Sequence, residues 1–316
     1  MVLALEIIIH NPLFYCFPKL PNREDAKVII QKTAKHATAG GFFLFILVVS
    51  AVLFLFTSPA SAKTKSVSFW DVANESNPKK IDHSAWQQLL DGYLRIHSAG
   101  INKFDYAALK KSARDRAKLE SYLDYLQKID PRDYSRAEQK AYWINFYNAL
   151  TVKVVADAFP VKSILEICED RASGSKCSGP WKEVRAKVAG RSLTLDKIEN
   201  DILRLIWKDN LIHYGVSCAS YGCPNLLQTA FTGKNTQKLL SDAAREYVNH
   251  PRGVSFMEND LIVVSSIYDW YSEDFGKSEQ DIIQHLASYA DEKLAKRLRN
   301  FKGTMDYEYD WNLNCP

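Results

Sequence analysis

The stretch AEQKAYWINFYNALTVKVVADAF, residues 137–159, decides the fold. From Ala141 to Val152 it carries no charge, and Tyr142 and Phe146 share its apolar side. A helix with so little polarity belongs at the centre of a structure rather than on its surface. Ser135 followed three residues later by Glu138 is a capping-box signature for its start, and Pro160 marks its end. Working outward, residues 83–97 place Trp86, Leu89, Leu90, Tyr93 and Leu94 at helical spacing, with Asp82 or Ser84 as cap. Residues 117–127, 234–249 and 278–298 also read as helices. Residues 191–207 read as a short strand or turn entering a helix, 211–217 as a buried strand and 225–231 as a turn of helix. The alternation at 253–257 and 261–265 predicts a hairpin or strand pair. The fold class expected is α+β: a helix-rich single domain with a small sheet.

The chain has 316 residues, 47% of them apolar and 25% charged, which is ordinary globular composition. Its formal net charge of +4 comes from mixed signs, without the basic face that would argue for nucleic acid. Lys27, Lys32, Lys35 and His36 precede the apolar run GGFFLFILVVSAVLFLF, and TSPASA follows, ending at Ala62. A basic flank, a short apolar core and an A-x-A site form the signature of a secretory signal. Residues 1–62 are therefore expected to be a signal sequence cleaved after Ala62, with a retained membrane anchor as the alternative. Residues 63–81 read as a linker and 82–316 as the working domain, placed outside the cytoplasm in the periplasm or secreted.

That placement gives the cysteines a redox context. The exported part holds Cys168, Cys177, Cys218, Cys223 and Cys315, an odd number that leaves at least one thiol over. Cys168–Cys177 is the easiest bridge, worth roughly 2–3 kcal/mol for a loop of this size. Cys223–Cys315 would then leave Cys218 free, whereas Cys218–Cys223 would leave Cys315 spare. The residues keep both open, and the first is preferred on chemical grounds. In HYGVSCASYGCPN, residues 213–225, small neighbours give access to the Cys218 sulfur and let backbone N–H groups point at an attacked carbonyl. The spacing of His213, Cys218 and Cys223 fits structural zinc poorly, and the C-x-x-C of a redox pair is missing. No metal or organic cofactor is implied.

A cysteine nucleophile needs a base. His213 is nearest in sequence, although a separation of five would put it on the opposite face of a straight strand from Cys218; a partly buried structural histidine is the plain reading. His250, before a Pro-Arg-Gly turn, is the other candidate. Asn145 and Asn148, three apart on the central helix, either pin a neighbouring loop or orient an imidazole or oxyanion. Glu199 is a partner for a histidine or for Arg204. The aromatic blocks at 267–276 and 309–316 read as packing, with a carbohydrate-stacking surface as the functional alternative.

The blocks AYWINFYNALTV (141–152), LTLDKIENDILR (193–204), HYGVSCASYGCPNL (213–226), PRGVSF (251–256), SSIYDWYSEDFG (265–276) and YDWNLN (309–314) resemble the domain-of-unknown-function family numbered 547. The resemblance runs from about residue 82 to the end of the chain. It implies a remote relation to papain-like or transglutaminase-like cysteine enzymes. It also implies a role for Cys218 independent of Cys223, whose position is often serine in plant members. One departure is plain: papain-like enzymes place the nucleophile at the start of a long helix with histidine after it, and here Pro224 follows Cys218 closely. Two functions are weighed. The leading one is a thiol-dependent hydrolase or acyl/amide transferase acting on a peptide, protein or cell-envelope amide. The alternative is a non-enzymatic extracytoplasmic binding or scaffold module.

Overall fold

In the computed structural model, residues 67–168, 177–258 and 260–316 are described, and all of them lie in one compact unit, Ser61–Pro316. At its centre is the helix anticipated from the charge-free stretch. It follows α1 (Ser84–Tyr93), α2 (Tyr106–Lys111) and α3 (Ala113–Lys128), and is α4 (Arg136–Ala158). Every residue of α4 from Glu138 to Val152 is buried, the condition that a helix without a polar face requires. The Ser135 side chain accepts from the Glu138 N–H, half of a capping box. The Glu138 carboxylate turns instead to the Ile81 N–H and Lys80. Trp70 lies edge-on against Trp143, their ring centres 5.1 Å apart, so the core also takes in a residue from the expected linker.

The strands are short: β1 (Leu94–Arg95) pairs antiparallel with β2 (Lys103–Phe104), and β3 (Ala186–Val188) with β4 (Arg191–Leu193). Beyond β4 the chain enters a π-helical segment, Lys197–Leu203, with the Thr194 hydroxyl accepting from the Lys197 N–H. It continues as α5 (Arg204–Trp207). The wider π turn buries Glu199 among Ile198, Ile202 and Leu203, a local geometry found often at functional sites. After α6 (Thr236–Val248), the hairpin of β5 (Val254–Phe256) and β6 (Leu261–Ser265) forms as its alternation anticipates. Two one-turn helices, α7 (Ile267–Trp270) and α8 (Ser272–Phe275), precede α9 (Glu279–Tyr289) and α10 (Glu292–Asn300). Strand β7 (Thr304–Glu308) then returns parallel to β6 and completes a three-stranded sheet. The architecture is a helix-dominated α+β domain with small open sheets.

Several expectations are corrected. Residues 210–214 form a 3₁₀ helix, not a strand, because Asp209 caps it by accepting from the Leu211 N–H. Residues 225–231 run without helix, pinned by Asn145 at Phe231 and by the Asn102 amide at the Leu226 carbonyl. The helix expected over 278–298 breaks at Ala290, where Asp291 starts α10 by accepting from Leu294 N–H. Cys168 and Cys177 are bridged, their Cα atoms 5.7 Å apart. Cys223 and Cys315 are unbridged: the Cys223 sulfur is buried and engaged with the Cys218 backbone, so no tie to Cys315 forms. The expectation of a membrane segment is also corrected, since among the described residues no helix is long and apolar enough to cross a membrane. The signal sequence expected at 1–62, with its apolar run, lies outside the described residues.

Candidate active site

Cys218 sits in a loop, not at a helix start, and two parts of the chain hold that loop. Asn148 on α4 holds it from below: its Nδ2 donates to the Gly215 carbonyl at 2.8 Å and its Oδ1 accepts from the Ser217 N–H at 2.8 Å. Asn145, one turn earlier, does the same for Phe231, donating to its carbonyl and accepting from its N–H. Both asparagines are thus loop pins, fully satisfied within the core. Immediately after Cys218, Ala219 adopts φ +63°. A left-handed residue with a side chain is uncommon and costs about 1–2 kcal/mol, so the surroundings impose this turn.

The second support is the segment at 309–315, which closes over the loop. Tyr221 and Gly222 N–H groups donate to the carbonyls of Asn312 and Asp310, and the Asn314 N–H donates to the Ala219 carbonyl. Gly222 is required by this close approach, since a Cβ there would lie 2.8 Å from the Asp310 nitrogen. Asn314 is in turn fixed from α2, where the Tyr106 hydroxyl donates to its side chain.

Closure brings Tyr309 to the sulfur. Its hydroxyl lies 2.8 Å from Cys218 Sγ and 3.0 Å from Ser220 Oγ, while Ser220 Oγ lies 3.1 Å from the same sulfur. The ring of Tyr309 is held by Trp270 and Trp311, at 4.8 and 4.6 Å between ring centres. Cys223 completes the set: its sulfur accepts the Cys218 N–H at 3.0 Å, and its thiol donates to the Val216 carbonyl at 3.7 Å. Burial works to raise the Cys218 thiol. Hydrogen bonds from Cys223, Ser220 and Tyr309 outweigh it, so the thiol lies below its ordinary value even though the Glu199 carboxylate opposes them. Cys223 goes the other way, pushed well above its usual range by burial and then by Cys218. The outer thiol is half-buried and the inner one buried. The arrangement is a sulfur prepared to carry negative charge.

The histidines are engaged elsewhere. His213 Nε2–H donates to Asp274 Oδ2 at 2.7 Å, and its Nδ1 lies 4.0 Å from Glu199 Oε1. Its ring lies between Tyr271 and Phe275, with centres 4.2 and 5.3 Å away. Arg204 donates to the same Asp274 oxygen and lies over the Tyr271 ring. Burial would raise the Asp274 carboxyl, but these bonds from His213 and Arg204 hold it at about 2. Tyr271 also hydrogen-bonds to Glu199 and is raised above its ordinary range, chiefly by burial. His250 accepts the Arg252 N–H and bonds the Ala99 carbonyl at 2.8 Å, holding the 97–100 turn. Neither imidazole is hydrogen-bonded to Cys218. Glu199 is the link between the two groups, paired with His213 on one side and felt by the Cys218 charge on the other.

Sequence reasoning brought Cys218, His213, Glu199 and both asparagines into one region and missed Tyr309, Ser220, Asp274 and Tyr271. The repeated Asp-Trp pairs at 269–270 and 310–311 were the available signal, since they bracket the residues that close the site. Two surface cavities lie away from the sulfur: one of about 510 Å³ beside Ser272, Glu273 and Lys277, and one of about 230 Å³ between Pro251 and Arg297. Among the described residues, no group of three or more His, Cys, Asp or Glu side chains could hold a metal ion.

Residues 131–248 match the family model described as "Protein of unknown function, DUF547". The match covers the central helix, Glu199, His213 and both cysteines, and ends before Asp274 and Tyr309. No curated protein and no solved structure matches the chain.

Proposed function

We propose that this chain, which carries a DUF547 segment over residues 131–248, is a thiol-dependent hydrolase or acyl/amide transferase with Cys218 as its nucleophile. It acts on a peptide or cell-envelope amide outside the cytoplasm. The observation that carries the reading is the pair of hydroxyls, Tyr309 and Ser220, converging on an unbridged, half-buried sulfur. Hydrogen bonds to an ionised acceptor are stronger than neutral ones, so this pair favours thiolate over thiol. The thiolate attacks a carbonyl carbon, forming a C–S bond as the C–N bond breaks. The departing amine needs a proton, and the Tyr309 hydroxyl is a donor within reach. Water or a second amine then takes the acyl group from sulfur. Asn148 and the turn at Ala219 fix the sulfur's direction, and the His213–Asp274–Arg204 group fixes Glu199 and Tyr271 behind it.

The full chain, reduced, should take up an acyl group from an activated ester such as p-nitrophenyl acetate. Intact-mass and peptide analysis should place it on Cys218, removable by hydroxylamine and absent in Cys218→Ser. Acylation of Cys315 or of no cysteine would overturn the reading. The binding-module alternative is favoured by one observation: both histidines make other contacts and leave Cys218 without an imidazole. That alternative expects an alkylation midpoint at or above the free-thiol value near 8.5.

A further inference from the structure

We infer that Cys218 is also a site of peroxide modification, with Cys223 as the thiol that resolves it into a disulfide. The inference rests on reading Cys218 as a nucleophilic thiolate, and it assigns that site its regulation. Three geometric facts carry it. Residue Cys218 is partly exposed, whereas Cys223 is 5% exposed and shielded from an oxidant. The Cys223 sulfur lies 3.0 Å from the Cys218 nitrogen and accepts its N–H, so the inner sulfur is in direct contact with Cys218. The only other unbridged cysteine among the described residues, Cys315, has no such contact with Cys218.

Two-electron chemistry follows from this arrangement. The Cys218 thiolate attacks one oxygen of a hydroperoxide, forming an S–O bond and breaking the O–O bond; the leaving hydroxide takes a proton. Tyr309, whose hydroxyl is 2.8 Å from the sulfur, stands where that proton is needed. The product is a sulfenic acid, which condenses with a neighbouring thiol. Cys223 sulfur then attacks Cys218 sulfur, the S–S bond forms, and the oxygen leaves as water. Overall two thiols and one hydrogen peroxide give one disulfide and two waters. The inner thiol is a poor target for the oxidant itself, since burial keeps it protonated. Its proton is directed at the Val216 carbonyl at 3.7 Å. Attack on the oxidised outer sulfur requires the Cys223 side chain to turn from that carbonyl toward Cys218. The bridge removes the thiolate that acyl transfer needs, and a reductant restores it.

The test uses the reduced full chain, stoichiometric hydrogen peroxide, then dimedone and tryptic mapping. Peptide 209–234 holds both cysteines, and Cys315 falls in another peptide. The expected result is peptide 209–234 lighter by two hydrogens, without dimedone, and at least a tenfold loss of ester acylation that dithiothreitol reverses. Cys223→Ala should instead accumulate the dimedone adduct on Cys218. If that variant fails to fold, the bridge map of the unaltered chain still decides. Sulfinic acid at Cys218 without a bridge, a bridge to Cys315, or an unoxidised Cys218 would each overturn the inference. Acylation without bridging sinks this inference and leaves the proposed function standing. Bridging without acylation sinks the proposed function and leaves the thiol pair intact.

Discussion

Tyr309→Phe removes one oxygen and keeps the ring between Trp270 and Trp311, so it isolates the hydrogen bond to Cys218. A hydrogen bond to a charged group contributes about 1.5–3 kcal/mol. The Ser220 hydroxyl, 3.1 Å from the sulfur, remains and favours the lower end. A loss of about 1.5 kcal/mol reduces the thiolate population roughly tenfold, at a pH below the midpoint of the unaltered protein. The more basic thiolate that remains is intrinsically more reactive, with a Brønsted coefficient of about 0.4–0.5. That returns a factor of about three, so alkylation by iodoacetamide should slow about fourfold, and by up to about fifteenfold if the full 3 kcal/mol is lost. The midpoint of the rate–pH profile should move upward in the same experiment. Mass spectrometry must follow Cys218 alone, with Cys315 as an internal reference in each sample. A rate within twofold of the unaltered protein, with unchanged thermal unfolding, would refute the idea that Tyr309 activates the sulfur.

Other consequences follow from residues around the site. Asn148→Ala leaves the Gly215 carbonyl and the Ser217 N–H buried without their partner, at about 1–3 kcal/mol each. It should destabilise the domain by about 2–6 kcal/mol in urea titrations, whereas an effect below about 1 kcal/mol would mean that the loop is held by other contacts. Ala219→Gly relieves a left-handed residue and should be neutral or slightly stabilising, against the usual loss from added glycine; a loss above 1 kcal/mol would deny the strain. Burial lowers His83 and His285 to about 4, with His213 adding to the effect at His285. The unfolded chain therefore binds protons near 6.5 that the folded chain refuses until about 4, and stability should fall as pH drops through that window. His83→Gln should flatten part of that slope in thermal melts, and an unchanged slope would remove His83 as a cause. Asp274 has linkage of the same sign in a lower window: its stabilising contribution is complete above about 4 and is lost as pH falls through about 2. Asp274→Asn should accordingly remove a step from the acid-unfolding curve below pH 4, and an unaltered step would rule Asp274 out.

The centre of this fold was legible because α4 has no polar face, and a helix without one has only one place to go. The hairpin of β5 and β6 was legible for a similar reason, since strict alternation over a few residues has few competing readings. Residues 211–217 were misread because a short apolar run does not announce its period; Asp209 at its start settled the matter locally in favour of a 3₁₀ turn. Ala290 and Asp291 hid a break for the opposite reason, being ordinary in a helix as well as between two. At the site, Cys218 stood out by its small neighbours and not by arithmetic, since the Cys223–Cys315 bridge that would have left it over does not form. The partners of Cys218 did not stand out, because the Tyr309 contact spans 91 residues and the His213–Asp274 contact 61. Local spacing carries no trace of pairs formed only by tertiary closure. His213 was a fair candidate for an imidazole base by proximity in sequence, yet the carboxylates of Asp274 and Glu199 face its two nitrogens.

The closure of segment 309–315 over the cysteine loop also sets an order of events in time. The ribosome delivers Cys218 long before Tyr309, with 91 positions between them. At about 5–20 residues per second, the sulfur spends roughly 5–20 s without the hydroxyl that tunes it. During that interval Ala219 has no Asn314 to hold it, Gly222 has no Asp310 against it, and Cys218 is a thiol like any other. A chain still being made therefore carries Cys218 without that hydroxyl beside it. The tuned surroundings of the sulfur arrive with the docking of the tail.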